Sequence, residues 1–377
     1  MANDRTMDIT PYLHLMIEKN ASDLFFSTGA PVNIKIEGQT RPVDKTVLQP
    51  GAVKKLAYSV MVDEQIREFE STLEMNLAIS ARNMGRFRVN IYRQRGEVAM
   101  VVRYIKGVIP SLDELNLPPI LKDLIVEPRG LIIVVGATGS GKSTTLASMI
   151  DYRNTHRTGH IVTIEDPIEF IHRHKKSIVD QREIGLDTLS YSNALKNALR
   201  EAPDVILVGE VRDREAMQHA LTLAETGHLC LTTLHAPNAN QAMDRIVNMF
   251  PEHARQQLLL DLSFNLRAAV SQRLILGKDG KRTPAVEVLL NTPYVSELIA
   301  KGEIENIKDA MGQSADQGMQ TFDQALYTLY RDGKISLKEA LDNADSRNNL
   351  GLRIRLAETG KDAPWDISIG QETFKYD

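Results

Sequence analysis

The sequence predicts an α/β protein in two unlike parts, a small N-terminal α/β unit and a larger unit built on a mostly parallel sheet. Three observations carry this. Four apolar stretches, Leu131 to Val135, Ile161 to Ile164, Val205 to Val208 and Leu229 to Leu231, alternate with helix-like runs, the pattern of buried parallel strands joined by crossovers. The first hundred residues instead read as short alternating strands after one amphipathic helix. Between the two, prolines and a glycine interrupt regular structure at Gly107, Pro110, Pro118 and Pro119.

In chain order, Ile9, Tyr12, Leu13, Met16 and Ile17 fall at helical spacing. Asp23 to Phe26 and Val32 to Ile36 read as strands separated by Gly29-Ala30-Pro31. In Gly85 to Ile91, Phe87, Val89 and Ile91 point one way and Arg86, Arg88 and Asn90 the other. Val98 to Tyr104 is the next strand, after a turn at Arg95-Gly96. The C-terminal third reads as helical: Leu258, Leu262, Leu266 and Val270 form one stripe, and Phe322, Ala325, Leu326 and Leu329 another that stops at Gly333. Ser336 to Glu339 fits a capping box opening the next helix. These two helices are expected to pack on each other rather than read DNA, because neither is basic. The expected division is an N-terminal domain at 1–106, a linker at 107–116, a second domain at 117–346 and a polar, flexible tail at 347–377.

With 45 Lys+Arg against 49 Asp+Glu the net charge is −4, which argues against a general nucleic-acid binder. A single cysteine, Cys230, excludes an intrachain disulfide and a cysteine-built zinc site. No apolar run reaches the ~18 residues of a spanning helix, and the first residues lack a signal-peptide core, so a cytoplasmic protein is expected.

Gly136-Ala137-Thr138-Gly139-Ser140-Gly141-Lys142-Ser143 matches the phosphate-binding pattern G-x-x-x-x-G-K-[ST], with an apolar strand before it and a helix-like run from Thr144 after it. Glycines let backbone N–H groups converge on phosphates, the lysine reaches the β/γ-phosphates and the serine hydroxyl ligates Mg²⁺. The chemistry implied is binding of a nucleotide such as ATP with Mg²⁺, through residues 136–144. A second apolar strand, Val205 to Val208, ends in Gly209-Glu210 where an aspartate is usual, so Glu210 reads either as holding Mg²⁺ through water or acting on the attacking water, or as an ordinary strand-end glutamate.

The fifteen residues Leu199 to Asp213 resemble the signature of the type II secretion/type IV pilus ATPase superfamily (the GspE/PilT family). Thr163 to Phe170 resembles its Asp box and Thr226 to Ala236 its His box. Gly85 to Asn90 and Gly318 to Asp323 resemble the pilus retraction branch, and the lone cysteine departs from the four-cysteine extension ATPases. In PilT-type members a Thr-Pro precedes an Ala-Ile-Arg-rich segment. Here Thr292-Pro293 leads into Tyr294-Val295-Ser296-Glu297-Leu298-Ile299, which resembles the PilU-type paralogues instead.

The resemblance implies a PAS-like N-terminal domain and a RecA-like P-loop ATPase domain with a helical C-terminal subdomain. It implies a homo-hexameric motor that hydrolyses ATP to support pilus retraction and twitching motility; the alternative it leaves is an ATP-binding accessory subunit. Implied partners are a PilT-type ATPase and the inner-membrane pilus platform protein, at the cytoplasmic face of the membrane, with no nucleic acid and no bilayer insertion. Implied roles are phosphate contact for Lys142, either Glu165 or Glu210 as the carboxylate that orients water, and γ-phosphate sensing for His228. Arg86 and Arg88 would act across a subunit boundary, with Arg93 and Arg95 as weaker candidates.

Overall fold

The computed structural model describes residues 8–81, 84–105, 107–314 and 317–359. Its chain contacts divide it into two units, one of residues 1–108 with 168–171 and 185–187, the other of 109–167, 172–184 and 188–377.

The first unit contains helices α1 (Thr10–Glu18), α2 (Ala52–Tyr58) and α3 (Asp63–Thr72). Its strands are β1 (Asp23–Phe26), β2 (Pro31–Ile36), β3 (Gln39–Val47), β4 (Glu74–Ala81), β5 (Gly85–Gln94) and β6 (Glu97–Ile105). They form one antiparallel sheet in the order β3-β2-β1-β6-β5-β4. Alternation sets the core face: Leu24, Phe26, Phe87, Val89, Ile91, Met100 and Val102 are buried against Leu13 and Met16 of α1, Leu56 of α2 and Phe69 of α3. Strand β3 is an edge with almost every side chain exposed and Pro42 within it, a composition that blunts an open edge.

The second unit contains α4 (Ile120–Ile125), β7 (Gly130–Val135), α5 (Lys142–His156), β8 (Gly159–Glu165), β9 (Ser177–Glu183), α6 (Tyr191–Ala198), β10 (Val205–Val208), α7 (Arg214–Glu225) and β11 (Leu229–Leu234). There follow α8 (Ala239–Asn248), α9 (Glu252–Asn265), β12 (Leu266–Leu276), β13 (Arg282–Leu290), α10 (Pro293–Lys301), α11 (Ile307–Gln313), α12 (Phe322–Arg331), α13 (Leu337–Asp342) and α14 (Arg347–Glu358). The sheet order is β13-β12-β7-β11-β10-β8-β9, parallel except for the β12–β13 hairpin. Strands β7, β10 and β11 are buried along their whole length. Helices cover both faces: residues of α4 and α5 share one apolar cluster, those of α6 to α11 another, and α12 to α14 close a third on Ile275 and Ala285 of the hairpin.

The structure corrects two expectations. The stripe Leu258–Val270 is not one helix: Leu258 and Leu262 lie on α9, whereas Leu266 and Val270 lie on β12. The helix ends at Leu266, where the backbone turns extended (φ −61°, ψ 136°) and enters the sheet beside β7. The tail expected from 347 begins instead as α14, with Leu350 and Ile354 buried against α12 and α13. The rest of that tail, 360–377 with Trp365, lies outside the described residues. In the stretch read as a linker, Leu112 is buried in the second unit's core and the Pro110 carbonyl accepts the Ser148 hydroxyl at 2.7 Å.

Candidate nucleotide site

The loop 136–141 joins the C-terminal end of β7 to the N-terminus of α5 at the carboxyl edge of the parallel sheet. Three of its residues need the freedom of glycine. Gly139 and Gly141 have φ of 77° and 93°, and a Cβ on Gly141 would stand 2.6 Å from Gln272 Nε2. A Cβ on Gly136 would stand 2.4 Å from Ser140 Oγ and 2.7 Å from the Gln272 carbonyl. Lys142 and Ser143 form the first turn of α5, where the N–H groups have no intrahelical acceptor and can bind an anion. Lys142 is buried, and its ammonium donates to the Gly136 and Ala137 carbonyls at 2.8 and 2.9 Å.

Gln272 of β12, a residue the sequence reading passed over, reaches this loop from the neighbouring strand. Its Nε2 donates to the Ser140 carbonyl at 2.9 Å and its Oε1 accepts the Thr145 hydroxyl at 2.7 Å. The next residue, Arg273, points to the other side. It donates to the Asn343 carbonyl, pairs with Asp345 at 2.7 Å and lies 3.9 Å over the Phe322 ring, tying the strand to the C-terminal helices. Asp345 is held below its ordinary value: burial raises it, and Lys308 at 2.8 Å together with Arg273 more than offsets this.

Three further strand ends meet at the same edge. β11 leads into His235, β10 into Gly209-Glu210 and β8 into Glu165. Gly209 is squeezed between strands: a Cβ there would stand 2.8 Å from the Tyr191 hydroxyl and 3.1 Å from the Ile164 carbonyl. Its N–H donates to Ile164 and its carbonyl accepts the Thr233 hydroxyl, which fixes where Glu210 begins. Glu210 accepts from Arg212 Nε at 2.7 Å and stands 3.4 Å from His235 Nε2. Arg212 also faces Asp166 at 3.7 Å. Burial, then the nearby Lys142 charge, lower the His235 pKa below the usual imidazole range. Glu165 accepts the Thr163 hydroxyl at 2.6 Å and the Gln181 amide at 3.2 Å. Because β11 lies beside β7 and β10 and β8 follow, Glu210 is two strands from the loop's strand and Glu165 three, steps of about 4.8 Å each.

His228 is elsewhere, which corrects its expected place near the nucleotide. It precedes β11, its carbonyl accepts the Gly130 N–H at the start of β7, and its Nδ1 lies 3.1 Å from both the Thr226 hydroxyl and the Leu223 carbonyl. The whole six-residue strand, about 17 Å, separates it from the loop edge. The other histidine of that box, His235, lines a cavity of about 820 Å³ with Ala137 to Ser140, Gln272 and Arg273. A smaller cavity of about 290 Å³ is lined by Gly141, Thr144, Thr145, Leu274 and Pro284. Cys230 is inert in the core, its thiol pushed up to about 12 by burial.

In the first unit, Arg86 and Arg88 lie on the polar face of β5, opposite Ser80 and Ala78 of β4. Arg86 Nε is buried without a hydrogen-bond partner among the described residues. Arg93 pairs with Glu70 at 2.6 Å, and Arg95 sits in the β5–β6 turn with φ of 51°.

Among the described residues, no helix is long and apolar enough to cross a membrane. Residues 5–282 match the model of the Type II/IV secretion system protein family. The chain is 55% identical to the type IV pilus ATPase PilU of Pseudomonas aeruginosa, over 93% of this chain and 92% of that one. It is 41% identical to the type IV pilus retraction ATPase PilT of the same organism, over 91% of this chain and all of that one. The crystal structure of the pilus retraction motor PilT with bound ADP superposes with a TM-score of 0.86 at 41% identity, covering 92% of this chain and 99% of that one. A phosphate-binding loop and four strand ends in this arrangement, with likeness of that extent, place the chain in the Type II/IV secretion system protein family, among the type IV pilus ATPases of the PilT and PilU kind.

Proposed function

We propose that this chain is an ATP-hydrolysing motor subunit of a type IV pilus machine that works in pilus retraction as a ring of six copies, together with a PilT-type paralogue. The observation that carries the reading is the glycine loop and Lys142 facing one carboxyl edge with the Glu210–His235 pair. Hydrolysis of a phosphoanhydride needs the phosphates held, their charge balanced and a water oriented. Residues 136–144 hold the phosphates by backbone N–H groups. Lys142 leaves its two carbonyls to meet phosphate oxygens. Glu210 is the carboxylate nearer by strand order for orienting the water, and Glu165 is the alternative. His235, neutral by virtue of its lowered pKa, can hydrogen-bond a phosphate oxygen or relay the proton that Glu210 receives.

No group of three or more metal-binding side chains gathers among the described residues. The Ser143 hydroxyl, in the first turn of α5 beside the loop, is a hard oxygen donor that would hold a magnesium ion together with phosphate oxygens and water. When bound, that ion supplies neutralisation of phosphate charge. Arg86 and Arg88 are proposed to complete the site of a neighbouring copy, a role supported by two guanidinium groups on one strand face and by an Arg86 Nε with no hydrogen-bond partner among the described residues.

A second reading, an ATP-binding accessory subunit, is favoured by α10. Its core side, Val295, Leu298 and Ile299, is buried, whereas Tyr294 is 57% exposed and Glu297 pairs with Lys301. The exposed side of α10 thus carries an aromatic ring and an ion pair, in the segment where the resemblance leads one to expect arginine in PilT-type members. Pilus retraction in cells carrying this chain with and without its paralogue tests the proposal. Retraction that is faster or more forceful with both, and that depends on Lys142, supports a motor. Full support of retraction by a Lys142→Ala chain would favour the accessory subunit.

A further inference from the structure

The glycine loop has little in its own sequence to hold it in shape, since three of its six residues, Gly136, Gly139 and Gly141, take positive φ. The Lys142 ammonium ties the Gly136 and Ala137 carbonyls and the Ser140 N–H bonds the Ala137 carbonyl, but the 140–141 peptide at the far end of the loop is held from β12. Gln272 is 4% exposed, and both ends of its amide are committed, one to the Ser140 carbonyl at 2.9 Å and the other to the Thr145 hydroxyl at 2.7 Å. The same residue sets the close approach at Gly136 and Gly141, so it abuts the loop at its start, at its end and one turn into α5. A trans peptide points its N–H opposite its C=O. Holding the Ser140 carbonyl toward β12 therefore aims the Gly141 N–H away from β12. Without that bond the 140–141 peptide is free to turn, and a carbonyl facing the cradle repels an anion.

We propose that Gln272 is a positioning residue that fixes the phosphate loop in its anion-accepting shape before the nucleotide arrives. It touches no reacting atom. Its contribution is preorganisation: the loop does not have to be ordered at the expense of nucleotide affinity. Once the phosphates are in place they hold the loop themselves, so the loss of Gln272 weakens binding more than it slows the bound complex. The inference rests on the reading of residues 136–144 as the ATP site.

The test uses the full chain and two near-isosteric variants. Gln272→Met keeps length and buried volume and removes both hydrogen bonds. Thr145→Val keeps shape and removes only the anchor at Oε1. Magnesium-ADP binding by calorimetry, steady-state ATP hydrolysis and thermal melting are read side by side. Expected for Gln272→Met is about a tenfold weaker ADP affinity and a comparable rise in KM, with kcat changed less than threefold. Thr145→Val gives a smaller rise, and the double variant binds no worse than Gln272→Met alone, because the two residues act through one contact. Wild-type affinity in Gln272→Met would overturn the proposal, as would a fall in kcat at unchanged KM that tracks a lowered melting temperature. Should one variant not fold, the other still decides by the same KM-against-kcat split. Turnover of the wild type in the same assay bears on the ATP site itself, whereas the ratio of variant to wild-type ADP affinity bears on Gln272.

Discussion

His235 Nε2 stands 3.4 Å from Glu210 Oε1, and the two side chains come from adjacent parallel strands, β11 and β10. The pair sits on the loop side of β11, with His228 at the other end of the same strand. This separates two histidines that share one sequence box. His235→Ala is expected to lower ATP turnover at least tenfold with ADP affinity nearly unchanged, because it removes the Glu210 partner that lines the loop cavity and is proposed to meet the phosphates. His228→Ala is expected to leave turnover within twofold and to cost about 1 kcal/mol of stability, the worth of a hydrogen bond such as that to Leu223. Parallel turnover and melting measurements on the two variants check this; the reverse pattern would return the nucleotide role to His228.

Glu210→Gln keeps the shape of the side chain but cannot accept a proton. It is expected to bind ATP normally and to lose turnover by roughly two to four orders of magnitude, the range of general-base removal. Glu165→Gln, one strand further from the loop, is expected to fall less. Single-turnover hydrolysis ranks the two, and a dead Glu165→Gln beside an active Glu210→Gln would exchange their roles.

His172 is buried, its Nδ1 lacks a hydrogen-bond partner among the described residues, and burial lowers its pKa to about 4. Its folded pKa lies below the unfolded value of 6.5, so the unfolded chain takes up the proton first as pH falls. Stability is therefore intact above about pH 6.5 and is lost as pH drops toward 4, by about 2 kcal/mol at pH 5. Urea melts at pH 7.5 and pH 5 check this: His172→Asn should show a smaller acid loss than the wild type, and an equal loss would assign the acid sensitivity to other groups.

Arg86→Ala and Arg88→Ala are each expected to leave ATP binding nearly unchanged and to lower turnover steeply; a finger arginine contributes about 10³ to 10⁵ in rate. Mixing either with a Lys142→Ala chain should restore activity at sites that pair an intact loop with an intact arginine. If the mixture stays inactive while both chains still assemble, the arginines act within their own chain or not in catalysis.

Much of this was legible in the sequence where local pattern and tertiary role agree. The four central strands could be read because each carries a buried, mainly apolar stretch, and the turn from β7 into α5 could be read because Gly136, Gly141, Lys142 and Ser143 follow one another in a strand–loop–helix order. Strand β5 was visible because Phe87, Val89 and Ile91 fill a one-sided core. What was hidden lacked such agreement. β3 has no buried face, so it shows no alternation. β12 was masked because Leu258, Leu262, Leu266 and Val270 keep a spacing of four across a helix-to-strand junction without glycine or proline. With that strand read as helix, Gln272 and Arg273 could not be placed beside the loop. The one available signal was the polar triplet Ser271-Gln272-Arg273 between the apolar stretches Ala268 to Val270 and Leu274 to Leu276. His228 and His235 differ only in which end of β11 they flank, and only the parallel register with β7 decides which of them meets the loop.

Steady-state ATP hydrolysis by the purified chain, measured for the wild type and for Lys142→Ala, tests the central claim most directly. The ammonium of Lys142 is bonded to two loop carbonyls, and its loss removes the positive charge proposed to meet the phosphates. The account predicts magnesium-dependent turnover in the wild type and none above background in Lys142→Ala, with an unchanged far-ultraviolet spectrum. Near-normal turnover in Lys142→Ala, or nucleotide binding without turnover in the wild type, would contradict it.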